Sequence, residues 1–173
     1  MRTLDAGQKT VNRWSVAAVI LFALGLAALG TEAIFAQAGQ LGRWTTLPYL
    51  MPINPIHLAL LNNSKVLVVA GSGNVATETN YRAAVWDPQT GTIPTQAVTW
   101  DMFCNGMVVL PDGRAFINGG TLQYDPFHGS QKNSVYDPAT GVFTDVQNMA
   151  HGRWYPTVTT LGDGRVHRQL PIQ

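Results

Sequence analysis

Cys104 and Tyr155 are the residues whose types and spacing indicate chemistry. Cys104 is the only cysteine among 173 residues, within Asp-Met-Phe-Cys-Asn-Gly at 101–106, so it cannot form a disulfide inside the chain. Tyr155 follows 51 residues later, within Arg-Trp-Tyr-Pro at 153–156. A thiol and a phenol are both oxidisable, so together they would form a redox pair if the fold placed them side by side.

Two repeated segments indicate the fold that would position this pair. Val-Trp-Asp-Pro-Gln-Thr-Gly at 85–91 recurs as Val-Tyr-Asp-Pro-Ala-Thr-Gly at 135–141. Each copy reads as a strand followed by a tight turn, in which proline presets one dihedral, aspartate accepts local hydrogen bonds and glycine supplies a positive φ.

A second element precedes each of these turns. Residues 61–71 parallel residues 110–120 as an apolar strand, a tight turn and another strand, and a third copy begins at 161–166. A period near 50 residues is typical of kelch propeller blades, so the sequence predicts an all-β, kelch-type β-propeller with about two and a half blades. The predicted strands are 56–61, 65–71, 81–87, 92–98, 106–110, 114–119, 133–137, 142–146, 156–161 and 164–166.

The repeat register relates the thiol to the phenol. Counting back from the shared leucine of the turn, Leu110 matches Leu161 and Cys104 matches Tyr155 without a gap. Equivalent positions in successive blades are neighbours around a propeller axis, and both residues precede the first, innermost strand. The register therefore places them together at one mouth of the central channel, where binding groups collect on such scaffolds.

The N-terminus reads as an export signal. Arg2, Lys9 and Arg13 form a basic region, residues 14–30 are apolar, and Ala-Gln-Ala at 36–38 offers a cleavage site. We therefore interpret residues 1–38 as a signal peptide, or as a membrane anchor crossing through 14–30 if it stays uncleaved. Either interpretation predicts a secreted or cell-envelope protein.

Length and charge limit the kinds of protein that the rest of the chain could form. Residues 39–166 are long enough for one domain with a core and are predicted to form the propeller blades. A net charge of +1, with no basic cluster after the first residues, argues against a nucleic-acid partner. Residues 167–173 depart from the repeat and are predicted to be an anomalous tail, as a truncated reading frame would give.

The motifs resemble those of a known family. Asp-Met-Phe-Cys-x-Gly, followed about 50 residues later by Arg-x-Tyr within kelch repeats, resembles the galactose oxidase and glyoxal oxidase family of copper radical oxidases. Ile-Asn-Pro-Ile-His at 53–57 and Asn-Gly-Gly-Thr-Leu-Gln-Tyr-Asp-Pro at 118–126 are similar to segments of its bacterial members. The resemblance covers roughly residues 44–166.

The resemblance implies a specific cofactor. In that family the cysteine is joined by a thioether to the tyrosine ring, and the tyrosine oxygen binds copper and forms a radical on oxidation. Carried over, Cys104 is the cross-linking sulfur, and Tyr155 is the metal ligand and redox partner. The implied reaction oxidises a primary alcohol, an aldehyde or a carbohydrate, while dioxygen becomes hydrogen peroxide.

The other copper ligands of the family come from later in the chain, beyond residue 173. The local histidines are His57, His128, His151 and His167, and no pair of them has ligand spacing. We interpret His57 as structural, His128 as a loop residue and His167 as part of the anomalous tail. The sequence therefore predicts half a cofactor and a chain that is inactive alone.

Two other interpretations stay open. Cys104 could be a small buried hydrophobe, as most free cysteines are, and Tyr155 a packing aromatic. The chain would then be an exported kelch module that binds a glycan or a protein without catalysis. The third interpretation is a truncated product without a function of its own.

Overall fold

The computed structural model describes residue 42 and residues 44–169. The chain divides into two units, Met1–Pro48 and Tyr49–Gln173. In the first unit, residues 44–48 are exposed and form neither helix nor strand. The predicted signal peptide at 1–38 lies outside the described residues, and no helix within the described ranges is long and apolar enough to cross a membrane.

The first sheet is an antiparallel meander. It contains β1 (His57–Leu60), β2 (Val66–Gly71), β3 (Arg82–Trp86) and β4 (Thr95–Ala97), in that spatial order. The turn after β3 has the predicted chemistry, since Asp87 Oδ1 accepts a hydrogen bond from the Gln89 amide at 3.0 Å and Gly91 has a φ of 74°. Strand β4 is shorter than the predicted 92–98 because Pro94 has no amide hydrogen to contribute to the ladder.

The second sheet repeats this arrangement. It contains β5 (Gly106–Val109), β6 (Ala115–Asn118), β9 (Asn133–Asp137) and β10 (Val142–Val146), with the order β10-β9-β6-β5. Its last turn copies the first, with Asp137 Oδ1 accepting from the Ala139 amide at 2.8 Å and Gly141 at a φ of 73°. The repeated turn motif thus produces the same hairpin twice.

Two smaller antiparallel sheets complete the described part. β7 (Thr121–Gln123) and β8 (His128–Gly129) form a hairpin between β6 and β9 that the sequence does not predict. His128, expected in a loop, lies in β8. β11 (Thr157–Thr160) pairs with β12 (Val166–Gln169), so backbone pairing continues across residues assigned to the anomalous tail, although His167 and Arg168 are exposed.

The first strands of successive sheets lie side by side. β5 contacts β1 on one side and β11 on the other. Gly106, the first residue of β5, permits the contact with β11 because an added Cβ would overlap the Pro156 carbonyl oxygen and the Val158 side chain. β5 follows the turn at Cys104 and β11 follows the bend at Tyr155, and a hydrogen bond from the Tyr155 amide to the Cys104 carbonyl oxygen joins these two segments.

The apolar core lies within and between the two large sheets. Its members are buried strand residues, Leu61 and Val98 directly after strands, and Trp100 and Met102 from the segment before β5. The core cluster is Ala59, Leu61, Leu67, Val69, Ala83, Val98, Trp100, Met102, Ala115, Ile117 and Tyr136. The described part is therefore all-β, built from four antiparallel sheets with no helix among its residues.

Candidate Cys104–Tyr155 site

Cys104 and Tyr155 occupy equivalent turns before consecutive sheets. Each lies two residues before its strand, Cys104 before β5 and Tyr155 before β11. Both have left-handed backbones, with φ values of 62° and 52°. Few residues other than glycine adopt this conformation, so its recurrence at matched positions supports the predicted repeat register.

The two residues contact each other through backbone and side chain. The Tyr155 amide donates a hydrogen bond to the Cys104 carbonyl oxygen at 2.8 Å. The two side chains also influence each other, since each shifts the pKa of the other. Cys104 is buried, whereas Tyr155 keeps 51% of its surface exposed. The pair therefore combines a shielded sulfur with a phenol that an incoming group can reach.

The pKa values of both groups are raised. Burial raises the pKa of the Cys104 thiol, since it disfavours the thiolate, and the hydrogen bond from Tyr155 opposes that shift. The pKa of Tyr155 is raised first by this same hydrogen bond, because ionisation would remove the donated proton. Both shifts favour the protonated thiol and the protonated phenol.

The β7–β8 hairpin fixes the backbone that precedes Tyr155. The Gly120 amide donates to the Arg153 carbonyl at 3.0 Å, and the Arg153 amide donates to the Ser130 carbonyl at 3.0 Å. Gly129 lies so close to the Arg153 backbone that an added Cβ would overlap it. The β7–β8 hairpin, which the sequence did not predict, thus holds the Arg-Trp-Tyr-Pro turn in place through backbone hydrogen bonds.

A row of aromatic rings leads away from Tyr155. Trp154 packs edge-on against Tyr155 at a centroid distance of 4.9 Å, and Phe127 stacks on Trp154 at 4.4 Å. Tyr124 continues the row beside Phe127 at 5.2 Å. The row therefore packs against one edge of Tyr155, which keeps about half of its surface exposed.

The described residues do not complete a copper site. No group of three or more His, Cys, Asp or Glu side chains within the described ranges lies close enough to hold one metal ion. His57 lies in β1, where burial lowers its pKa and its Nε2 has no hydrogen-bond partner. His128 and His151 line a separate cavity of about 530 Å³, and His167 lies in β12. Among the described residues, Tyr155 is the one member of the predicted ligand set.

Comparison with known proteins gives a consistent picture. No family model matches the chain. A galactose oxidase of Gibberella zeae is 32% identical over 84 residues, covering 47% of this chain and 11% of that protein. The Kelch-like protein terF of Aspergillus terreus is 27% identical over 164 residues, covering 84% of this chain and 33% of that protein.

The chain is also similar to a solved structure. A fungal alcohol oxidase of the AA5 family, determined in complex with copper, superposes with a TM-score of 0.60 at 26% identity, covering 72% of this chain and 26% of that one. The chain resembles the galactose oxidase-like copper oxidases. It spans about a tenth to a third of the length of the curated relatives it matches.

Proposed function

We propose that this chain supplies the Cys–Tyr half of the redox site in a secreted copper radical oxidase built on a kelch-type β-propeller. The observation that carries the proposal is the hydrogen bond from the Tyr155 amide to the Cys104 carbonyl oxygen, which places a buried thiol beside a half-exposed phenol on turns that precede adjacent sheets. The substrate of the complete oxidase is a primary alcohol, an aldehyde or a carbohydrate. Residues 1–38 act as the export signal or anchor, and residues 39–166 form the first blades.

Cross-linking would convert the contact into a cofactor. The Cys104 thiol loses its hydrogen, a ring carbon beside the Tyr155 hydroxyl loses one, and a sulfur–carbon bond forms. One dioxygen accepts the two electrons and two protons and leaves as hydrogen peroxide. Copper would supply the redox chemistry for this bond, and the Tyr155 oxygen would be the ligand from this part of the chain.

The arrangement suits this chemistry in three respects. The sulfur is shielded from bulk oxidants because Cys104 is buried. Tyr155 is half-exposed, so an approaching ligand can reach this residue. The left-handed turns hold both side chains at fixed positions, which a bond between two neighbouring turns requires.

The mass of the intact chain tests this proposal. After incubation with copper(I), imidazole as a substitute nitrogen ligand and dioxygen, we expect the chain to become lighter by two hydrogens. Cys104→Ser provides the matched control, since it keeps a similar volume but removes the sulfur and should show no such loss. Equal masses before and after treatment of the unmodified chain, with Cys104 still fully open to alkylation after unfolding, would contradict the proposal.

A binding module is the second candidate, and one cavity favours it. The cavity of about 530 Å³ beside the β7–β8 hairpin is lined by polar side chains that include His128, Lys132, Asn148 and His151. Such a lining suits a polar ligand such as a glycan. This candidate predicts glycan binding that needs no copper and that Cys104→Ser leaves unchanged, as titration calorimetry would measure.

A further inference from the structure

Asp101 is a buried carboxylate, only 6% exposed, three residues before Cys104. None of the ion pairs among the described residues involves it. Its Oδ1 instead accepts two backbone hydrogen bonds, from the Ser72 amide at 2.8 Å and from the Phe103 amide at 3.0 Å. Charge-assisted bonds of this kind compensate a buried anion and are stronger than neutral ones.

The end of β2 is shaped to receive this carboxylate. Gly71 has a φ of 57°, and an added Cβ would overlap both Asp101 Oδ1 and the Phe103 amide. A glycine here lets the first sheet approach the Cys104 turn at backbone distance. The Asp101 side chain therefore joins two sheets rather than only stabilising its own turn.

Further hydrogen bonds and a ring contact connect the residues around Asp101. Thr121 donates its amide to the Asp101 carbonyl at 3.1 Å and its hydroxyl to the Phe103 carbonyl at 3.0 Å. The Ser72 and Tyr124 hydroxyls are 2.6 Å apart, and the Tyr124 ring stacks on Phe103 at 6.1 Å. We call Ser72, Asp101, Phe103, Thr121 and Tyr124 the Asp101 clamp.

The clamp holds the residues immediately before a strained one. A left-handed backbone is unfavourable for a non-glycine residue and persists only where its surroundings impose it. Cys104, at a φ of 62°, follows directly after Phe103, whose amide and carbonyl are both fixed by the clamp. Beyond Cys104, the bond from Tyr155 secures its carbonyl.

We propose that Asp101 is a positioning residue, whose hydrogen bonds to the Ser72 and Phe103 amides hold Cys104 in the left-handed conformation that directs its thiol to Tyr155. The claim that this placement of Cys104 serves cross-linking rests on the proposed function. The placement itself does not, because it can be measured in the reduced chain without copper.

Alkylation of Cys104 under native conditions, at one pH and without copper, tests the placement. Asp101→Ala removes the acceptor of both amides, so we expect Cys104 to react about tenfold faster, as loss of a buried hydrogen-bond partner implies. Asp101→Asn keeps one acceptor oxygen and should restore the slow rate to within about threefold. Asp112→Asn, at an exposed turn aspartate, is the control and should change nothing.

General destabilisation needs a separate control. Ile117→Ala creates a cavity in the core without removing a clamp residue, and it can be compared with Asp101→Ala at temperatures where the two variants have equal free energies of unfolding, with each rate taken relative to that of a small free thiol. At equal stability, we expect Cys104 to be alkylated several-fold more slowly in Ile117→Ala than in Asp101→Ala. Equal rates for these two variants, or no rescue by Asp101→Asn, would overturn the proposal.

Hydrogen exchange in the unmodified chain provides a test that needs no variant to fold. The Ser72 and Phe103 amides should exchange at least about a hundredfold more slowly than unstructured amides, because both are bonded to one buried carboxylate. Unprotected exchange at either amide would overturn the proposal. If protection and rescue are observed but no cross-link forms with copper, the placement stands and the oxidase function fails.

Discussion

The Tyr155 amide donates a 2.8 Å hydrogen bond to the Cys104 carbonyl oxygen, across the boundary between the sheet that begins with β5 and the pair formed by β11 and β12. This bond joins the backbones of the two residues whose side chains also meet. Since both are left-handed, the two turns run alongside each other in the same conformation. The proximity of Cys104 and Tyr155 is therefore set by their backbones and does not depend on side-chain rotamers alone.

The close approach of β5 and β11 predicts a steric effect at Gly106. Gly106→Ala should lower the free energy of unfolding by about 2 kcal/mol, because the new methyl would overlap the Pro156 carbonyl oxygen. Gly162→Ala is the matched control, since a Cβ there meets nothing within 4 Å. Urea denaturation would measure both. Similar midpoints for the two variants would contradict this packing of β5 on β11.

The repeated turn predicts a stabilising substitution at Ser64. Ser64 has a φ of 64°, at the position where the next two copies of the turn have Gly113 and Gly164, with φ values of 86° and 83°. Ser64→Gly should raise the free energy of unfolding by about 1 kcal/mol, since glycine adopts this backbone without steric cost. The reverse change, Gly164→Ser, should lower it by a similar amount. A loss of stability in Ser64→Gly would show that the Ser64 side chain contributes more than its strain costs.

Two exposed aspartates predict the acid dependence of stability. A hydrogen bond from the Arg114 side chain lowers the pKa of Asp112, and the Arg165 amide does so for Asp163. A carboxyl with a lower pKa in the folded state stabilises the fold above its unfolded pKa, near 3.8, and loses that contribution as the pH falls further.

The double variant Asp112→Asn, Asp163→Asn removes both titrating groups. Its urea midpoint should therefore fall less between pH 4 and pH 2 than that of the unmodified chain. The two should differ little at pH 6, because exposed pairs contribute weakly. Parallel pH profiles would show that these hydrogen bonds do not persist in solution.

The predictable part of the fold came from local chemistry repeated at a fixed interval. The turns at Asp87 and Asp137 depend on residues adjacent in sequence, so their motifs identify them. The same interval related Cys104 to Tyr155, and the two lie in contact. Resemblance to the oxidase family is confirmed by the relatives, while the catalytic roles of both residues stay predictions.

The missed features depend on contacts between distant segments. The β7–β8 hairpin has only five strand residues, lacks an alternating pattern and contains Pro126, so no local signal marks it. The sequence could predict only one of the two hydrogen bonds of Asp101. The bond to the Phe103 amide fits a recognised turn pattern, in which an aspartate accepts from the amide two residues later. Its bond to Ser72 follows from the approach of another sheet, which the sequence of one turn does not specify.

Peptide mapping after copper treatment tests the central claim most directly. Trypsin cleaves the chain so that Cys104 lies in peptide 83–114 and Tyr155 in peptide 154–165. After incubation with copper(I), imidazole and dioxygen, these two peptides should be recovered as one species, two hydrogens lighter than their sum, with fragmentation placing the link at Cys104 and Tyr155. Separate recovery of both peptides, with Cys104 fully alkylated and Tyr155 unmodified, would contradict the account.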